Sequence, residues 1–137
     1  MPKEIKYSDK SKGQPGLIIL FNEIKEIMSP FAGGNYILSA DRPGHYEIYY
    51  GKEVEVLGKR YPELLFASML IQKGYIGFYF FPIYIDEAQK KKLAPELLRC
   101  LKGKTCFHLK KNDPQLLAQI NQALRSGIDY YSSRGWN

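Results

Sequence analysis

The segment 64–85, LLFASMLIQKGYIGFYFFPIYI, constrains the fold more than any other part of this chain. β-branched and aromatic residues fill two apolar arms, and the polar break between them is Gln72-Lys73-Gly74. This pattern predicts a β-hairpin at the centre of a sheet. Alternation places Leu65, Ala67, Met69 and Ile71 on one face, and Leu64, Phe66, Leu70, Ile76, Phe78 and Phe80 on the other. Because both sets are apolar, we expect both faces to be covered, by a helix, a second copy of the chain or an apolar ligand.

The flanking sequence predicts an α+β domain with an antiparallel sheet of about five strands and helices packed on it. Residues 1–14 lack apolar periodicity and predict a flexible tail, and residues 15–137 predict one domain. An amphipathic helix follows Pro15, and a second helix opens at Asp113-Pro114 and closes at Gly127. Strands are predicted at 36–38, 45–50, 53–57 and 104–109 in addition to the central pair, which extends to Ile85. The strands at 45–50 and 53–57 each alternate as if one face were solvated, with His45 in the preceding turn.

Composition narrows the class of protein. No apolar run approaches the ~20 residues that a membrane helix requires, and the first residues do not read as a secretion signal. Cys100 and Cys106 are too few for a disulfide framework and predict free thiols in a reduced compartment. We therefore expect a cytoplasmic protein with no membrane contact and no cofactor.

Five short motifs, in order and at roughly matching spacing, resemble the YdhG-like family of small bacterial domains. They are Tyr50-Gly51, Gly58-Lys59, Phe66-Ala67, Ile76-Gly77-Phe78-Tyr79 and Lys102-Gly103-Lys104-Thr105. The resemblance covers Leu17 to Leu124 and implies an α+β fold. It also implies one candidate activity, because some members of that family are described as frataxin-like intracellular iron chaperones. The chain departs from the family pattern at Lys52-Glu53, where a Met-Pro step is usual, and in an extra segment from Gly33 to Gly44.

Iron handling of that kind requires converging oxygen ligands. The carboxylates that could gather at a strand edge are Glu47, Glu53, Glu55 and Glu63. A solvated sheet face explains the same residues, and we predict no metal ligands.

A second alternative is an enzyme that uses Cys106 and His108, which lie two residues apart on one face of a strand. No third group at a recognisable spacing accompanies them, so we predict no catalytic residues. A small core cysteine beside a hydrogen-bonded histidine explains the pattern equally well.

The chain has 11 tyrosines, six of them on predicted strands. Tyrosine suits the rim of a ligand site or a subunit interface because it combines a large apolar ring with a polar tip. An aromatic core whose hydroxyls reach solvent is the other interpretation. We predict a ligand-binding sheet face made of Tyr50, Tyr75, Phe78, Tyr79, Phe80 and His108.

Eight lysines and arginines between residues 90 and 111 form a basic region that could contact nucleic acid. No nucleic-acid-binding module accompanies them, so nucleic acid is not the expected partner. The sequence predicts a non-enzymatic binding module for a small apolar ligand or a protein partner, including a second copy of the chain.

Overall fold

A computed structural model describes residues 8–137. It confirms the α+β class: five antiparallel strands form one sheet in the order β1-β2-β5-β6-β7, with β5 at the centre. The strands are β1 (Tyr36–Arg42), β2 (His45–Tyr50), β5 (Leu64–Gln72), β6 (Tyr75–Phe80) and β7 (Cys106–Leu109). A separate hairpin, β3 (Val54–Val56) and β4 (Lys59–Tyr61), connects β2 to β5.

Within residues 8–137, four α-helices accompany the sheet: α1 (Pro15–Met28), α2 (Pro82–Ile85), α3 (Pro95–Leu98) and α4 (Pro114–Ser133). Each begins with proline, whose fixed φ suits the first turn and whose missing N–H is not needed there. Two short 3₁₀ helices lie at Ser29–Phe31 and Glu87–Lys92. The carboxylate of Asp113 accepts a hydrogen bond from the Gln115 N–H and caps α4, as its sequence predicts.

Two predicted boundaries are wrong. The strand predicted to reach Ile85 ends at Phe80, because Pro82 opens α2. The helix predicted to end at Gly127 runs on to Ser133. Gly127 serves close packing: a Cβ there would lie 2.6 Å from Cζ of Phe80.

Two predicted strands also need correction, and the predicted tail lies partly outside the described residues. β1 is seven residues long, and the strand predicted at 53–57 leaves the main sheet for the β3–β4 hairpin. Residues 1–7 of the predicted tail lie outside the described part of the chain. Of the remainder, Gln14 donates a hydrogen bond to the Gln72 carbonyl and accepts one from the Gly74 N–H.

The core lies between the helices and one face of the sheet, called here the helix side. Phe66 is its centre and makes ring contacts with Tyr36, Phe80 and Tyr131, while the Tyr131 hydroxyl donates to the Leu65 carbonyl. The register also shows that the predicted division of the central hairpin is wrong. Met69 pairs with Phe78 and Ile71 with Ile76, so members of both sets share the helix side.

Candidate functional site

The opposite face of the sheet carries a different set of side chains. Gly127 and Tyr131 of α4 pack against Phe80 and Phe66 on the helix side, and we call the opposite surface the helix-free face. Two cross-strand rows define it: His45, Leu70, Gly77 and His108, and Glu47, Ser68, Tyr79 and Cys106. Leu70 is buried yet lies outside the core cluster, which agrees with a position across the sheet from the core.

The structure divides the six predicted site residues between the two faces. Tyr50, Phe78 and Phe80 are buried on the helix side. Tyr75, Tyr79 and His108 are half-buried on the helix-free face. The alternation of Ile76-Gly77-Phe78-Tyr79 along β6 indicates this division. The predicted site missed it because it grouped the residues by their aromatic character.

Three half-buried rings surround Gly77. Tyr75 and Tyr79 lie two residues before and after it on β6, and His108 is its partner on β7. The rings of Tyr75 and His108 stack with centroids 3.9 Å apart and an interplanar angle of 16°. Tyr79 leans over the glycine, with Cε1 3.3 Å from the position that a Cβ would occupy. We call Tyr75, Gly77, Tyr79, Cys106 and His108 the Gly77 platform.

Two ionisable groups of the platform, Tyr79 and Cys106, have raised pKa values. Burial, and then the neighbouring Cys106, raise the pKa of Tyr79 to about 12. Burial also raises the pKa of the Cys106 thiol, against the opposing effect of its hydrogen bond with Tyr79. A thiolate is the nucleophilic form of cysteine, so a raised pKa keeps Cys106 in its unreactive form at neutral pH.

The other end of the helix-free face holds a buried polar pair. His45 Nε2 lies 3.1 Å from Glu47 Oε2, and Arg42 Nε donates to His45 Nδ1. Both residues are buried, at 1% and 5% exposure, so the expected turn position of His45 and the solvated face of β2 are both wrong. A buried carboxylate requires such partners, which the sequence could not indicate because isolated polar residues on a strand normally face water.

Two of the carboxylates considered for iron have partners of their own. Glu47 faces His45, and Glu53 lies 3.4 Å from Arg60 on the β3–β4 hairpin. Within residues 8–137, no group of three or more histidine, cysteine or acidic residues is placed to hold a metal ion.

Among the clefts in the described part of the chain, two are relevant to the sheet. One of about 360 Å³ lies between α1 and the β1–β2 turn, where Lys25 and Asp41 form a 2.7 Å ion pair across it. Because these charges satisfy each other, this cleft offers little to a ligand. The other, of about 660 Å³, lies between the start of α1 and the chain after β7, and its lining includes Gly16, Leu17, Gly74, Lys110 and Lys111.

No family model, curated protein or solved structure matches this chain. The YdhG-like resemblance therefore stays a prediction. No helix within the described residues is both long enough and apolar enough to cross a membrane.

Proposed function

We propose that this chain is a binding module without catalytic activity, and that its ligand contacts the Gly77 platform. The observation that carries the proposal is the gathering of Tyr75, Tyr79 and His108, all half-buried, around a glycine on the helix-free face. Such rings offer a large apolar contact area together with hydrogen-bonding tips. Because Gly77 has no side chain, the ring of Tyr79 can lie over β6 at this position.

The surroundings of Cys106 support binding over catalysis. Its thiol is held protonated by burial, and the ring of His108 is engaged in a stack with Tyr75. A cysteine nucleophile needs a lowered pKa and an orienting base. The platform therefore suits a ligand that is held and released unchanged.

The test is a nitrogen-15 NMR titration of the full chain with three probes: a short single-stranded RNA of mixed sequence, a polyglutamate peptide and free tryptophan. We expect at least one probe to shift the amide signals of β6 and β7. The Tyr79→Ala variant should reduce that shift. Tyr61→Ala is the matched control, because Tyr61 is a half-buried tyrosine on the separate β3–β4 hairpin.

Two results would contradict the proposal. One is the absence of any β6 or β7 shift with all three probes. The other is a shift that Tyr79→Ala leaves unchanged and Tyr61→Ala removes.

A second copy of the chain is a separate candidate partner, favoured by the exposed edge of the sheet. β1 is an edge strand, and its Ile37 and Leu38 are 40% and 42% exposed. Exposed apolar edge strands pair readily with other strands. Native mass spectrometry should show a dimer that Leu38→Lys dissociates and that Ile19→Lys, at an exposed site on α1, does not. A monomeric wild-type protein would dismiss this candidate.

A further inference from the structure

The strand that supplies His108 and Cys106 to the platform lies inside a purely basic segment. From Leu97 to Asn112 the chain contains five basic residues and no acidic one: Arg99, Lys102, Lys104, Lys110 and Lys111. All five are exposed. Within the described residues the four lysines form no ion pair, whereas Arg99 contacts Glu96. Their charges are therefore available to an anionic ligand.

Rings and lysines meet at the same end of the sheet. His108 and Lys110 are two residues apart at the end of β7, and Lys73 belongs to the turn that precedes Tyr75. Lys110 and Lys111 also line the cleft of about 660 Å³, whose opposite wall is the start of α1. Asp113 also lines this cleft and brings one negative charge beside the two lysines, while its Oδ1 accepts the capping hydrogen bond of α4. Aromatic rings and lysine side chains thus lie at the same end of the sheet.

The acidic side chains lie at the other end of the helix-free face. Burial, together with the negative charges of Glu47 and Glu63, raises the pKa of Tyr49 to about 12. An anionic ligand is therefore favoured on β6 and β7 and disfavoured over β2. The expected binding surface is therefore limited to β6 and β7 and does not extend to β2.

We propose that the ligand of the Gly77 platform is a single-stranded nucleic acid. Bases stack on Tyr79 and on the Tyr75–His108 pair, and Lys73, Lys104, Lys110 and Lys111 neutralise phosphates. Single-stranded nucleic acids are bound by this combination of aromatic stacking and a basic groove. The proposal rests on the proposed binding function. The sequence alone made nucleic acid an unexpected partner, because it does not show that β7 places the lysines beside half-buried rings.

Two other ligands fit the same surface less well. A second copy of the chain docked face to face would bring two basic segments together, which costs free energy through like-charge repulsion. An acidic peptide satisfies the lysines but does not need three half-buried rings. A single-stranded nucleic acid uses both features.

The experiment is fluorescence anisotropy with a labelled single-stranded RNA of mixed sequence, its DNA counterpart, a perfect RNA duplex and labelled polyglutamate. We expect the single strands to bind more tightly than the duplex. Tyr79→Ala and His108→Ala should each weaken binding roughly 5- to 150-fold, which corresponds to ~1–3 kcal/mol per stacked base. Replacing Lys110 or Lys111 with alanine should reduce the slope of log affinity against log salt by about 0.7 each.

Matched controls separate this surface from general basicity. Tyr61→Ala and Lys59→Ala remove a tyrosine and a lysine that contact each other on the β3–β4 hairpin, with Nζ 5.4 Å from the ring centroid. Lys91→Ala removes an exposed lysine from the 3₁₀ helix after α2. All three should bind RNA like the wild type.

Two outcomes would overturn the inference in different ways. Equal affinity for single strand, duplex and polyglutamate, unaffected by Tyr79→Ala, would show only loose attraction between charges. A platform that responds to tryptophan or polyglutamate in the NMR titration but not to RNA would preserve the binding function and exclude nucleic acid as its ligand.

Discussion

The two faces of this sheet carry the same kinds of residue and use them in opposite ways. On the helix side, Phe66, Phe78 and Phe80 are buried among each other and the helices. On the helix-free face, Tyr75, Tyr79 and His108 stay half-buried. Adjacent residues of one strand thus face either the core or the opposite surface, and the register of the sheet determines which of the two each residue faces.

The largest test of this comparison uses neighbours on β6. Phe78→Ala should lower the free energy of unfolding by ~3–5 kcal/mol, because it deletes a fully buried ring and leaves a cavity. Tyr79→Ala should cost only about 1 kcal/mol, because its ring is half-buried. Urea denaturation measures both values. Equal losses would mean that the two faces are packed alike, and the distinction drawn here would fail.

A second test makes the same substitution once on each side. Gly127→Ala adds a Cβ 2.6 Å from Phe80, a ring fixed in the core, so we expect a loss of ~1–3 kcal/mol despite the better helix propensity of alanine. Gly77→Ala adds a Cβ 3.3 Å from Tyr79, whose ring can swing outward. Its effect on stability should stay within ~1 kcal/mol, since alanine also removes the entropic cost of glycine in a strand.

Gly77→Ala should nevertheless weaken ligand binding, because it displaces Tyr79. Thermal denaturation and RNA anisotropy on the same two variants separate the effects. A strongly destabilised Gly77→Ala protein would show that Tyr79 is as fixed as Phe80.

Local sequence patterns predicted the positions of helices and strands better than they predicted which face of the sheet each residue occupies. Apolar periodicity located α1 and the start of α4, and alternation placed Cys106 and His108 together on β7. The central hairpin was divided wrongly because its turn pairs Met69 with Phe78, which puts odd-numbered residues of β5 beside even-numbered residues of β6. A register shift between Ile48 and Tyr49 adds a second irregularity, and alternation counted along a single strand shows neither.

The candidate site depended on contacts distant in sequence. A glycine after an apolar run predicts a helix end, yet Gly127 is a contact point for Phe80, which lies 47 residues earlier in the chain by their numbers. The role of Gly77 likewise depends on its pairing with His108 across β6 and β7. A single sequence contains the residue types of the platform but not the register that joins them.

A smaller effect should separate the tyrosines of the two faces in alkali. Burial raises the pKa of Tyr79 to about 12, and burial together with Glu47 and Glu63 does the same for Tyr49. On the helix side, burial raises the pKa of Tyr131 well above its usual range. Each neutral phenol favours the folded state, so this stabilisation is complete below the ordinary value of 10.0 and is lost as the pH rises toward 12.

Tyrosinate absorbance and unfolding, followed together, measure this difference. Tyr49 and Tyr79 should ionise reversibly in the folded protein, whereas Tyr131 should ionise only as the chain unfolds. The Tyr49→Phe, Tyr79→Phe double variant should lose less stability between pH 10 and 12 than the wild type does. Ionisation of every tyrosine in one step with unfolding would remove the distinction between the faces.

The smallest expected effect concerns Cys106, and it bears on whether the helix-free face is chemically inert. In a Cys100→Ala background, Cys106 should react with iodoacetamide at neutral pH more slowly than a free cysteine, because burial raises its pKa. Tyr79→Phe deletes the hydrogen bond that opposes this rise, so the reaction should slow further if access to the sulfur is unchanged. Rapid alkylation that Tyr79→Phe suppresses would instead identify an activated thiolate, and the Cys106–His108 enzyme hypothesis would replace the binding module.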